Sequence, residues 1–315
     1  MNYLTSKMKI TIVGALIAAL LFVQCNKMDD LNVRLEERYT TEFVEAAQTG
    51  AQFRCAQCTE SNTKITGNRA QLLAQNFAPL LKFDRAAPDY PTSVETVWAN
   101  SDPASIVCDG QLVMVNRNSP SSLSFPTYYE VQQHPSRPNR VFIDYWWTYN
   151  IQSNCFSNLG GHDYDWEHVI VQVDTEANKV ISVTYFQHGG WYTIDWRNRN
   201  VNDIITVFVG KLAHGSYHNS RSWTLPGYEC SYWGDYRNPA GPQDETTTAG
   251  NLVHMDCNNP HFSFNGNWGT VGKGPLYRNR DYWNFNACSG TDGLFGQDGC
   301  SACNFGSSIK LGAIN

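Results

Sequence analysis

Residues 160–174, GGHDYDWEHVIVQVD, set His162, Asp163, Asp165, Glu167 and His168 directly against an apolar, strand-like run. On a strand, side chains two residues apart point to the same side, and Asp165 and Glu167 have that spacing. His162 lies three residues before Asp165, behind Gly160 and Gly161, in a turn that lets its ring swing toward the pair. Hard divalent cations want oxygen ligands, so His162, Asp165 and Glu167 predict a mixed nitrogen and oxygen metal site for magnesium, calcium or manganese rather than zinc. Asp163 and His168 are read as supporting or surface groups. The competing reading of the same residues is a solvated acidic turn at the mouth of a sheet.

Other polar side chains are expected at the same end. His188 and Trp191, in QHGGWY, follow the end of a strand, and an aromatic beside a histidine on a loop suits a sugar ring. The alternative there is a hairpin corner with a buried tryptophan. His214 and His218, in AHGSYHN, follow the next strand and can reach the same place. Ser216 among these histidines invites a triad, but no G-x-S-x-G elbow or helix start surrounds it.

The elements that must hold these residues are mainly strands. RVFIDYWWTYN places Val141, Ile143, Tyr145, Trp147 and Tyr149 on one face and Phe142, Asp144, Trp146 and Thr148 on the other. Residues 168–174 and 179–187 flank TEAN and read as a hairpin, and IITVFVG, residues 204–210, reads as a further strand. Strands joined by short turns predict a mainly β fold, an antiparallel β-sandwich with half-buried faces. Two helices are expected before it, over residues 31–47 and 68–83, the second ending at Pro88 and Pro91. From Gly227 onward, Gly, Asn and Asp predict long loops stapled by disulfides.

At the N-terminus, Lys7 and Lys9 precede an apolar run that stops at Cys25, the pattern of a secretory signal. A cysteine followed by NKMDD is similar to the lipobox of bacterial lipoproteins, with Gln24 where a small residue is usual. This predicts export and a lipid anchor on Cys25 at the cell envelope, the alternative being a plain secreted protein. The expected organisation is a signal peptide over residues 1–24, an N-terminal extension over 25–66 and a single β-sandwich domain over 67–315. Removing Lys7 and Lys9 from 23 basic and 29 acidic residues leaves 21 minus 29, a charge of −8, which argues against nucleic acid as a partner. Export makes disulfides the default for the nine cysteines after Cys25, although CAQC at 55–58 and CSAC at 300–303 have a spacing that also suits zinc.

GGHDYDWEHVIVQV resembles the G-H-x-x-D-W-E signature of the necrosis-inducing, Nep-like toxin family, and QHGGWY is similar to that family's second histidine motif. FAPLLKFDRAAPDYPTSVETVW, YWWTYN, DWEHVIV, AHGSYHN and WGTVGKGP also resemble, in order, a vacuolar-protein-sorting-annotated family with the same D-W-E-H core. The likeness runs from about residue 70 to 275. It implies a β-sandwich holding a divalent cation at one end through His162, Asp165 and Glu167. In the toxins that cation helps bind a sugar head group of a membrane lipid, and no catalysed reaction is required. Asp163 and Tyr164 stand where the toxins have a basic residue and a second histidine, and TYNIQ stands where they supply a further aspartate. Asn150 offers a neutral oxygen there. The ligand-binding set is thus His188, Trp191, His214 and Asn150, with a glycan or glycolipid as partner. A metal-dependent hydrolase using His162 or His188 for proton transfer, and a structural surface lipoprotein, are the alternatives.

Overall fold

The computed structural model describes residues 58–106, 109–118, 122–155, 160–187, 190–200, 202–222, 235–285 and 288–289. The signal segment, Cys25, the helix expected over 31–47, His188 and both C-x-x-C motifs except Cys58 lie outside them. In chain order the strands are β1 (Lys64–Ile65), β2 (Leu80–Lys82), β3 (Gln111–Leu112), β4 (Thr127–Gln133), β5 (Arg140–Gln152), β6 (His162–Asp174) and β7 (Lys179–Gln187). They continue as β8 (Gly190–Asp195), β9 (Thr206–Val209), β10 (Ser216–Tyr217), β11 (Glu245–Thr247), β12 (Leu252–His254), β13 (Asn267–Trp268) and β14 (Cys288–Ser289). Two helices, α1 (Gly67–Asn76) and α2 (Val94–Ala99), precede the long strands.

The main sheet runs β1-β4-β5-β6-β7-β8-β14, antiparallel throughout, with β12 added parallel to β4. A second sheet runs β10-β9-β2-β11 and contains one parallel pair, β2 with β9. The two sheets share a core in which Val141, Ile143, Tyr145, Trp147 and Tyr149 of β5 meet Leu81, Val207, Val209 and Tyr217. The alternation expected for β5 is therefore observed, and the fold is a mainly β sandwich. Tyr145 donates from its hydroxyl to the Ala74 carbonyl at 2.8 Å, fixing α1 over the same face.

Some expectations need correction. The second helix stops at Asn76, because Pro79 and not Pro88 ends it, and Leu80–Lys82 form a strand instead. The long strands are not half-buried: Tyr128, Trp146, Tyr164 and Trp166 on the other face pack beneath Val94 and Val97 of α2 and beneath Phe262, Phe264 and Trp268. The loop-rich final third thus forms a second cover for the sheet. The disulfides expected after export are observed where described: Cys58 is joined to Cys257, 199 positions away, and so is no zinc ligand. Cys155 is disulfide-bonded as well. Residues 58–65, expected in the extension, belong to this body through the disulfide and through β1 pairing with β4.

Candidate functional site

β6 opens with a double glycine for two separate reasons. Gly160 has φ +82°, a conformation that glycine adopts at little cost, and a Cβ on Gly161 would run into the Asn154 side chain. Tyr164, at φ +61°, then turns the strand before it settles into the regular ladder with β5 at Asp165. Asp165 and Glu167 lie opposite Tyr149 and Trp147 and share the face of the common core, as their spacing predicts.

The structure adds two partners far away in the chain. His214, in the turn between β9 and β10, lies against Asp165 and Asp89, which stand 49 and 125 positions from it. Its Nδ1 is 2.9 Å from Asp165 Oδ2 and its Nε2 is 2.9 Å from Asp89 Oδ1. The ring stacks on Tyr149 with centroids 3.8 Å apart and planes 1° from parallel. Burial alone would lower its pKa, but the Asp89 and Asp165 charges and hydrogen bonds outweigh burial and raise it to about 10. Glu167 is buried beside them. Burial first, then the Asp165 charge, push its carboxyl well above the ordinary range, against His214 and Arg278. Asp89 keeps one buried oxygen, Oδ2, without a hydrogen-bond partner.

His162 does not join this group. Its Nδ1 lies 2.8 Å from the Tyr164 carbonyl, to which it donates, and its side chain lines an outer cleft of about 320 Å³ with Arg117, Gln152, Asn154 and Asp163. Asp165 has both oxygens engaged, Oδ2 by His214 and Oδ1 by the Trp166 amide at 2.9 Å. Among the described residues, no three of His, Cys, Asp and Glu are grouped to hold a metal ion. His162, Asp165 and Glu167 are thus not brought together as one group.

The remaining candidates separate. Trp191 stands opposite Phe186 in the β7–β8 ladder and packs against Phe186 and Phe285, on the face away from His214, so the two do not meet. Asn150 is buried and donates to the Asn118 carbonyl at 2.7 Å, with its own Oδ1 unpartnered. His168 is on the far face too, stacked between Trp146 and Phe186, each 3.7 Å away, and bonded to Asp144. Asp163 forms an ion pair with the exposed Arg117 at 2.8 Å. With both His214 nitrogens engaged by carboxylates, that ring has no free nitrogen to take a proton from Ser216.

Solved structures similar to this chain include a group of proteins. They are Nep-like necrosis-inducing proteins. One, described as "Toxin fold for microbial attack and plant defense", is 14% identical over 65% of this chain and 80% of its own, with a TM-score of 0.34. "NLPPya in complex with mannosamine" is 15% identical over 65% and 79%, with a TM-score of 0.34. Necrosis and Ethylene inducing Protein 2, from the causal agent of cocoa's Witches Broom disease, is 14% identical over 56% and 76%, with a TM-score of 0.31. No protein-family model and no curated protein matches the chain. At these identities and TM-scores, the site is read from this chain's own side chains.

Proposed function

We propose that the protein is exported, anchored through an acylated Cys25, and binds a sugar of a glycan or glycolipid head group in the cleft at the mouth of β5 and β6. The observation that carries this reading is the lining of that cleft. Arg117, Gln152, Asn154, His162 and Asp163 bring amide, guanidinium, imidazole and carboxylate groups to one opening of about 320 Å³. Ring hydroxyls are both donors and acceptors, and planar amides with charged groups satisfy both. His162 and Asp163 are half-buried, so they meet solvent while their backbone is fixed in the ladder with β5.

The arrangement also argues for binding over turnover. His214 and Glu167, whose pKa values are raised, are buried and do not line the cleft. Calorimetric titration of the mature protein with free glucosamine and mannosamine, the sugars of two of the similar structures, is the first test. Saturable heat that is lost in Asn154→Ala and His162→Ala supports the cleft. Wild-type binding that both variants retain places the sugar elsewhere. The anchor is tested separately by intact mass, since an unmodified mature chain contradicts acylation of Cys25.

A further inference from the structure

The D-W-E core has three acidic side chains on one face, Asp89, Asp165 and Glu167, all buried. Ionised carboxylates packed together repel, and a positive charge among them relieves that repulsion. We propose that this charge is the imidazolium of His214, clamped between Asp89 and Asp165 on the face of Tyr149, and that the core takes no divalent cation.

The geometry carries the assignment. An ionised carboxylate only accepts hydrogen bonds, so with Asp89 and Asp165 both ionised, a ring with each nitrogen 2.9 Å from a different one of them carries hydrogen on both nitrogens and is charged. His214, Asp89 and Asp165 are 2%, 3% and 5% exposed, which shields the contacts from water. Tyr149 presents its face to the ring, where a cation is attracted. The turn is specialised for this pose, since His214 holds φ +55°, a conformation unusual for a residue with a side chain. A second resident cation, the half-buried Arg278, interacts electrostatically with both Glu167 and Asp165.

A metal ion at Asp165 would displace one of its two hydrogen bonds and put a dication beside His214. It would also need His162, which bonds the Tyr164 carbonyl and lines the outer cleft. The core instead supplies its own charge, with the consequence that chelators leave it intact.

The test uses the full mature chain, stripped with chelator, and no sugar, so its failure leaves the sugar reading standing. Thermal melts with magnesium, calcium or manganese added are expected to match the metal-free melt, and calorimetry to show no saturable site. The ring ¹⁵N spectrum is expected to show both His214 nitrogens protonated and unmoved by any of the three ions. His214→Gln is expected to lower Tm by roughly 10 °C by leaving two carboxylates facing each other. Divalent ions should then recover part of the loss. Asp89→Asn, which keeps an acceptor for Nε2, should fold with a smaller loss and remain indifferent to cations, so the question stays open to test if His214→Gln does not fold. Saturable cation binding to wild type, a cation-dependent rise in its Tm, a neutral His214 ring, or a His214→Gln variant that melts like wild type would each overturn the proposal.

Discussion

Two buried glutamates on the same sheet are handled in opposite ways. Glu130 on β4 is fully buried and accepts hydrogen bonds from Arg280 Nε at 2.9 Å, from the Tyr282 hydroxyl at 2.7 Å and from Gln132 Nε2 at 3.0 Å; Arg280 Nη2 and Lys64 face its other oxygen. Burial pushes its carboxyl up, yet the Arg280 bonds and charge, with Tyr282 and Lys64, hold it below its ordinary value. Glu167 on β6 is also buried, and burial with the Asp165 charge drives its carboxyl up. The first cluster is a clip. It ties β4 to residues 280–282 and to the segment around Glu60, whose carboxylate also accepts from the Cys257 amide at 2.7 Å. The second leaves Asp89 Oδ2 unpartnered, and its Asp165 and Glu167 are on the same strand, β6, whose first residues line the exposed cleft. Saturated hydrogen bonding marks the first region, and unmet carboxylate charge the second.

This contrast can be broken by substitution. Glu130→Gln removes the buried carboxylate shared by Arg280 and Lys64, leaves them only the partly exposed Glu60, and is expected to cost about 3 kcal/mol in denaturant unfolding, with sugar binding unchanged. The lowered Glu130 value makes its contribution present above the ordinary carboxylate range and lost as pH falls through the folded value, so the gap between wild type and Glu130→Gln should close in acid. Replacing Cys58 and Cys257 with alanine should cost about 2–5 kcal/mol by freeing the loop of 199 positions that the bridge closes beside the clip.

Glu167→Gln exchanges a buried carboxyl whose pKa is raised for an amide and should cost no more than about 1 kcal/mol. Its pH signature has the opposite sign. A raised value gives stability that is full below the ordinary carboxylate pKa and fades as pH rises, so wild type should lose ground to Glu167→Gln on going from acid to neutral pH. The smallest stability effect is expected for Arg117→Ala. Arg117 is exposed, and its pair with Asp163 is worth under about 0.5 kcal/mol. If it contacts sugar, the same change should weaken sugar binding by roughly tenfold, read by calorimetry.

Much of this was legible in the sequence where the signal is local. The period-two pattern of RVFIDYWWTYN put the right residues of β5 into the shared core, and the spacing of Asp165 and Glu167 put both on that face. Proline gave a local signal as well, but Pro79 ended α1 well before the pair at Pro88 and Pro91 that the reading used. The capped turn of α2, with Ser93 accepting from the Thr96 amide at 3.1 Å, was there to be read and was passed over. What lay beyond reach depends on distant contacts. Nothing in APDYP marks Asp89 as the partner of a histidine 125 positions later. The orientation of His162 depends on the positive φ of Tyr164, and the parting of Trp191 from His214 depends on the register of β7 with β8. Both faces of the main sheet are covered because the residues of β5 are apolar at both parities, with Phe142 and Trp146 as apolar as their neighbours.

The most direct measurement is a glycan and glycolipid array probed with the mature wild-type protein in the presence of a chelator. The account predicts saturable binding to a restricted set of sugar head groups, retained in chelator and lost in His162→Ala. Binding to no glycan, or binding that disappears with the chelator and returns with a divalent cation, would contradict it.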